Sequence, residues 1–323
     1  MRVQLPKIGL GCMGFTHAYG EPMEEKLAVE RIRAAYEMGY RFFDTAQRYT
    51  GIDHNGQIVY NETVVGEALK DVRQDVIIAT KCGITMRDGQ RIVDGRPETI
   101  RATLQESLKR LQTDYVDIYY LHTPDPKVPM AVVAKTMKEL YDKGLIRGWG
   151  VSQVNAEQLR EANAVFEVSA VQNRYSMMAR AQSAEELETA AELQIPFIAF
   201  SPLANGYLSG AYKASDIFLE QGDFRARMPQ FTEEGFKASQ DLLGYLEKLA
   251  LDKQATQAQI ALAWMENLPQ RVLPIPGSRQ LSSLKENFES TKIQLSEAEV
   301  QTINDTLDQM TLGPVFLGSQ NQR

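Results

Sequence analysis

Along the chain, short apolar runs rich in β-branched residues alternate with longer stretches in which apolar positions recur every three to four residues. The first pattern predicts strands and the second amphipathic helices. Strand-like runs fall at 8–10, 41–46 (RFFDTA), 75–81 (DVIIATK), 115–122 (YVDIYYLH), 146–152 (IRGWGVS), 168–173 (VSAVQN), 196–202 (PFIAFSP) and 271–278 (RVLPIPGS). Helical periodicity occupies 24–39, 61–70, 98–112, 131–144, 155–166, 183–194, 235–267, 281–289 and 296–310. Gly144 is placed to close one helix, Asn155 to cap another, and SEAE from Ser296 reads as a capping box. Runs such as VIIAT are apolar throughout, the mark of a parallel sheet covered on both faces. Eight such units in regular alternation predict an α/β fold, a single (β/α)8 TIM barrel over residues 1–323 with long loops at its C-terminal face. No Pro-, Ser- or Gly-rich linker divides the chain. Residues 203–234 are the longest irregular stretch, and a loop of that length in a compact domain is usually functional, often a lid. The tail 311–323 reads as loosely held.

Composition narrows the classes. With 43% hydrophobic and 24% charged residues the balance is that of an ordinary soluble globular protein. A net charge of −7 with no basic stripe argues against nucleic acid as a partner. Two cysteines, Cys12 and Cys82, make no disulfide framework and fit a reducing compartment. No stretch approaches the ~20 apolar residues that span a bilayer, and the first residues carry no signal-peptide-like apolar run. A cytoplasmic protein without a membrane partner is expected, its oligomeric state open.

Gly9, Gly11 and Gly14 match G-x-G-x-x-G. That fingerprint needs a helix opening at its third glycine. FTHAYGEP follows instead, so these glycines are expected to let backbone approach a ligand closely.

Catalytic groups of such barrels lie at the C-terminal ends of the strands. Those ends carry Asp44 with Tyr49 just beyond, Lys81, His122, Ser152, Gln172, Ser201 and the run Gly277-Ser278-Arg279. Singly, each has an ordinary reading: a turn aspartate, a solvated lysine, a hydrogen-bonded histidine. Jointly they face one centre. A phenol titrates near pH 10, and a neighbouring ammonium lowers that value. Lys81 can supply the charge, Asp44 can pair with Lys81, and His122 can orient a carbonyl oxygen. The outcome is a proton donor aimed at an oxygen becoming an alkoxide. At the eighth strand, Gly277 and Ser278 offer donors and Arg279 a planar fork suited to phosphate.

The motifs LGLGCMG, FFDTAQRY, the NE of YNETVVGEAL, IIATK, YYLH, GVS, AVQNRYS, FSPL and PIPGSR…EN occur in an order that resembles the aldo-keto reductase superfamily over nearly the whole chain. With DFRARMPQF at 223–231, the likeness is to its bacterial, plant and fungal pyridoxal-reductase-like branch. The resemblance implies a tetrad of Asp44, Tyr49, Lys81 and His122, and metal-free hydride transfer from NADPH to a small aldehyde or ketone. It implies NADP(H) contacts from Gly11, Cys12 and Met13 along the nicotinamide ribose and pocket floor, and from Ser152 and Gln172 to the carboxamide. Phe200 would lie against the nicotinamide ring. Ser201, Leu203, Asn205 and Gly206 would follow the pyrophosphate, Ser278 and Arg279 the 2′-phosphate, and Glu286 and Asn287 the adenine. Gln153 and Arg174 stand where relatives carry other residues, and THAYGEP and 50–60 lie near the pocket mouth. The alternative function is a cofactor-sensing regulatory subunit resembling the potassium-channel β subunit. A non-redox barrel hydrolase is a distant third, since no paired carboxylates or metal-ligand cluster stands out.

Overall fold

Eight short strands form one all-parallel sheet whose order follows the chain: β1 Leu10–Gly11, β2 Phe42–Asp44, β3 Ile77–Cys82, β4 Ile118–Leu121, β5 Trp149–Ser152, β6 Ala170–Arg174, β7 Phe197–Phe200 and β8 Val272–Pro274. The computed structural model describes residues 4–87, 90–216, 222–270 and 272–315. Closure comes from backbone beside the first and last strands: Gly9 N donates to Pro274 O at 3.0 Å and Gly11 N to Pro276 O at 3.1 Å. The ring so closed is the expected (β/α)8 barrel.

The glycines at this seam have a packing reason that local motif reading does not show. A Cβ on Gly9 would meet the Phe42 ring at 2.5 Å, one on Gly11 the Ile275 carbonyl at 2.7 Å, and one on Gly277 the Gly11 carbonyl at 2.5 Å. The close approach seen is strand to strand, at the last joint of the barrel. A 3-10 turn, Cys12–Phe15, follows β1 where a dinucleotide fingerprint would start a helix.

Strand side chains alternate between two cores. Phe42, Ala79, Ile118, Tyr120, Ala170, Ile198, Leu273 and Ile275 fill the barrel interior. Residues of opposite parity, such as Phe43, Ile78, Tyr119, Val151, Val171 and Ala199, join the larger core beneath the helices. The Tyr120 ring occupies the space that a Cβ on Gly150 would need, at 2.3 Å. Continuing the inward parity to the strand ends reaches Asp44, Lys81, His122, Ser152, Gln172 and Phe200. The alternation that fills the barrel floor with apolar groups therefore aims these six side chains at the centre of its upper rim.

Around the sheet run α1 Glu25–Met38, α2 Asn61–Leu69, α3 Pro97–Leu111, α4 Met130–Asp142, α5 Ala156–Val165, α6 Ala184–Glu192, α7 Glu233–Asp252, α8 Gln257–Glu266, α9 Leu281–Glu289 and α10 Glu297–Gln309. Asn155 caps its helix and Ser296 forms a capping box, as their sequences predict, and the Asn155 cap is completed to a capping box by Gln158. The run 235–267, expected as one helix, is two. Gln254 takes left-handed backbone (φ 52°), and Thr256 caps α8 with Gln259 in a further capping box. Two hairpins escaped the periodicity: Thr50–Ile52 with Ile58–Tyr60, and Ile84–Arg87 with Gln90–Val93. Both are too short and too exposed to show an apolar alternation. The described residues of 203–234 hold three 3-10 turns, Ala204–Ser209, Phe224–Arg227 and Pro229–Phe231, anchored by buried Tyr207, Met228 and Phe231. Phe224 N donates to Ala18 O at 2.8 Å, tying this stretch to the loop after β1. Beyond α10, Gly313 N bonds Ser239 Oγ at 3.3 Å and Val315 is buried; the rest of the 311–323 tail lies outside the described residues.

Candidate active site

Backbone strain marks the same rim. Eight described non-glycine residues have positive φ. Gln112, Gln194 and Gln254 sit just past helix ends, where left-handed backbone is routine. The other five, Ala18, Gln153, Ser201, Ala204 and Asn205, lie in loops after β1, β5 and β7. Such conformations cost on the order of 1 kcal/mol or more each and collect where function holds them.

Lys81 is the hub. Its side chain is wholly buried at the end of β3, and its ammonium pairs with the Asp44 carboxylate. It also donates to Thr45 O at 2.9 Å and Tyr49 OH at 3.2 Å, and lies 4.9 Å from the Tyr49 ring centroid. Asp44 is held from its other side by Gln172, whose Nε2 donates to Oδ2 at 2.7 Å. An uncompensated ion here would be very costly, so the three groups stand together. Burial works against the ammonium, but Asp44 and Tyr49 more than offset it and keep the Lys81 pKa above its ordinary value.

Tyr49 differs from the expectation in one respect. Lys81 does pull its pKa down, yet burial, helped by the Asp44 charge, outweighs that pull, and the net shift is upward. The phenol therefore keeps its proton across the neutral range, the form a proton donor needs. His122 meets its ring edge-on at 5.7 Å. Burial foremost, then the charges of Lys81, Arg48 and Arg91, push the His122 pKa well down, so its imidazole is neutral.

Asn61, the first residue of α2, was missed as a site residue. Its Oδ1 accepts from Thr45 Oγ1 at 2.6 Å, and its Nδ2 donates to Cys12 O and Thr16 Oγ1, both at 2.9 Å. Asn61 N and Thr16 Oγ1 both donate to Tyr49 O, at 2.9 and 3.2 Å. One buried amide thus fixes the loop on which Tyr49 rides. Next to it, buried Glu62 accepts from Thr80 Oγ1 at 2.6 Å and Arg110 Nε at 2.8 Å, joining α2 to β3 and α3. His17, in the THAYGEP insertion, was missed as well; it stacks on Tyr49 with centroids 6.0 Å apart and planes 18° from parallel.

The remaining predicted positions lie in several environments. Ser152 is buried at the end of β5, and Gln153 Nε2 donates to His122 O at 2.9 Å and Thr123 Oγ1 at 3.0 Å. Phe200 is half-buried, with the Arg174 guanidinium 5.5 Å from its centroid. Cys12 is fully buried in the outer core, so what it offers at the rim is backbone, while Gly11 and Met13 are half-buried. Ser201, Leu203, Asn205 and Gly206 follow β7 on a turn in which Asn205 and Gly206 have positive φ. Asn205 Nδ2 donates to Tyr19 OH at 2.8 Å, whereas its Oδ1 is buried without a partner. Arg279 Nε donates to Gly14 O at 2.6 Å, and Ser278 Oγ accepts from Gln280 N at 3.1 Å, beside exposed Gly277. Glu286 is half-buried and Asn287 buried on α9.

Comparison with known proteins decides what this arrangement belongs to. A family model described as the aldo/keto reductase family matches residues 7–308. The chain belongs to the aldo/keto reductase family. It is 34% identical over 311 residues to "Aldo-keto reductase yakc [NADP(+)]" of Schizosaccharomyces pombe, covering 94% of this chain and 89% of the relative. It is 33% identical over 302 residues to "Probable aldo-keto reductase 1" of Glycine max, covering 93% and 85%. Among solved structures, a glycerol dehydrogenase of Gluconobacter oxydans aligns with a TM-score of 0.82 at 25% identity, covering 98% of this chain and 96% of that one. Among the described residues of this aldo/keto reductase no group of His, Cys, Asp and Glu is arranged to hold a metal ion, and no helix is long and apolar enough to cross a membrane.

Proposed function

We propose that this aldo/keto reductase reduces aldehydes and ketones to alcohols with NADPH, with Tyr49 as the general acid. The observation that carries the reading is the hub: a wholly buried ammonium bonded at once to Asp44, the Thr45 carbonyl and the Tyr49 hydroxyl.

The β7–β8 side of the rim fits the cofactor. The turn after β7 is left-handed at Ser201 and from Ala204 to Gly206, and the orphaned Asn205 Oδ1 on it is an acceptor suited to a ribose hydroxyl. Phe200 offers a half-exposed ring, and Ser152 and Gln172 offer polar groups to the carboxamide. Ser278 and Arg279, after β8, suit the 2′-phosphate. The fission-yeast relative is named for NADP(+). When bound, the nicotinamide supplies the hydride that reduces the carbonyl carbon.

The chain's own residues do the rest. Tyr49 gives its phenolic proton to the carbonyl oxygen as that oxygen becomes an alkoxide. Lys81 stabilises the phenolate left behind, and Asp44 with Gln172 holds Lys81 in place. Neutral His122 donates a hydrogen bond that orients the oxygen. Asn61 and Thr16 fix the Tyr49 backbone. The test is alcohol formation coupled one-to-one to NADPH consumption across aldehydes, ketones, sugars and pyridoxal. Multiple turnovers are expected. Slow turnover with tightly retained cofactor and a co-purifying partner would instead favour a sensor subunit.

A further inference from the structure

Two arginines at the rim take no part in this chemistry. Arg48 immediately precedes Tyr49, and its Nη1 lies 3.1 Å from His17 Nε2. His17 Nδ1 lies 2.8 Å from the Thr50 carbonyl, so Nδ1 carries the proton and Nε2 accepts from Arg48. The Arg48 Nε is buried and has no hydrogen-bond partner. Arg91, on Gln90–Val93 of the second hairpin, donates to Thr123 Oγ1 at 3.1 Å, next in sequence to His122. Gln153 steadies that side by donating to both Thr123 Oγ1 and His122 O. One guanidinium is thus joined to the Tyr49 side through His17, and the other to the His122 side through Thr123.

Neither guanidinium forms an ion pair with a carboxylate among the described residues. They are also close enough to feel one another. Burial first and Arg91 next lower the Arg48 pKa, and both arginines add to the depression at His122. Neighbouring like charges with no carboxylate paired to them among the described residues disfavour each other, and an anion between them relieves that. This cluster sits in the loops after β2 and β3. Ser201–Gly206 and Ser278–Arg279 follow β7 and β8; in a ring of eight strands β3, which precedes Arg91, is opposite β7, and β2, which precedes Arg48, is separated from β8 by β1. Arg91 is thus remote in strand order from the positions suited to the cofactor phosphates, and the anion it shares with Arg48 is read as part of the substrate.

We propose that Arg48 and Arg91 form an anion subsite, and that the preferred substrate is an aldehyde or ketone carrying a carboxylate or phosphate within reach of Tyr49. The proposal rests on Tyr49 being the proton donor. It is tested with matched substrates of the NADPH-loaded enzyme: 4-carboxybenzaldehyde against its neutral methyl ester, and glyceraldehyde 3-phosphate against glyceraldehyde. The charged member of at least one pair is expected to have a kcat/KM about tenfold or more higher, an advantage that shrinks as salt is added. Which pair discriminates tells carboxylate from phosphate. In Arg48→Gln and Arg91→Gln the charged-to-neutral ratio falls toward one. Arg91 is exposed, so its variant reports even where Arg48→Gln disturbs folding. Ratios near one in the wild-type enzyme, or unchanged in both variants, overturn the subsite. Calorimetric binding of terephthalate and of inorganic phosphate needs no turnover. Arginine-dependent binding without aldehyde reduction would keep the subsite and remove the reductase reading. Reduction without charge discrimination would do the reverse.

Discussion

Lys81→Met separates the chemical role of the ammonium from its structural one. The substitution removes a wholly buried cation together with its bonds to Asp44, Thr45 O and Tyr49 OH. Asp44 then keeps only Gln172 as a partner. Breaking a buried ion pair from one side typically costs about 3–5 kcal/mol. For a chain of this length each kcal/mol moves the melting temperature by about 1.5 °C, so a drop of roughly 4–7 °C is expected. Tyr49 loses the one strong influence that lowers a pKa already raised by burial. It becomes a weaker acid, and turnover of the folded, NADPH-bound variant should fall by at least about two orders of magnitude. Adding Asp44→Asn removes the lone charge, and the new amide oxygen can still accept from Gln172. The double variant should recover part of the lost melting temperature and stay inactive. Thermal melts and NADPH oxidation on both variants and the wild type make the comparison. Near wild-type turnover in Lys81→Met, or activity restored in the double variant, would refute the claim that the ammonium prepares Tyr49.

Other perturbations follow from the same contacts. Arg279→Ala should weaken NADPH binding about tenfold or more, the scale of a charge-assisted bond of about 1.5–3 kcal/mol, and leave NADH nearly unchanged; fluorescence titration with both cofactors measures the difference. Asn61→Ala leaves Thr45 Oγ1 and Thr16 Oγ1 short of a partner and frees the Tyr49 loop, so melting temperature and kcat should both drop while cofactor affinity holds. Glu266, accepting from Ser290 Oγ at 2.7 Å, has its pKa raised from 4.5 to about 7, chiefly by burial. The folded state therefore binds more protons than the unfolded one in that window, and this stability is present below pH 4.5 and lost as pH rises through about 7. Glu266→Gln should gain on the wild type between pH 5 and 8, seen as a widening difference in melting temperature.

Much of the fold was legible because the barrel repeats one unit. Five of the strand runs, β2 to β6, end on a polar residue of inward parity, so Asp44, Lys81, His122, Ser152 and Gln172 could be read as one rim from spacing alone. What escaped depended on long-range contacts. The break between α7 and α8 is set by a left-handed Gln254 and the Thr256 cap, both hidden within a continuing helical period. The tight packing at Gly9, Gly11 and Gly277 involves residues more than 250 positions apart or on a neighbouring strand, where local motif reading pointed to a ligand. Gln172 was assigned to the cofactor alone, because nothing local reveals its bond to Asp44 across 128 residues. The Tyr49 pKa was expected to fall because charge is visible in a sequence and burial is not.

The central claim is that Tyr49 delivers the proton. A single-turnover experiment tests it most directly: wild-type and Tyr49→Phe enzyme are each loaded with NADPH, mixed with an aldehyde that the wild type reduces, and followed by loss of reduced-nicotinamide absorbance. Equal cofactor loading is expected, with a rate at least about a hundredfold lower in Tyr49→Phe, since only the phenolic hydroxyl is gone. Reduction by Tyr49→Phe at the wild-type rate would contradict it.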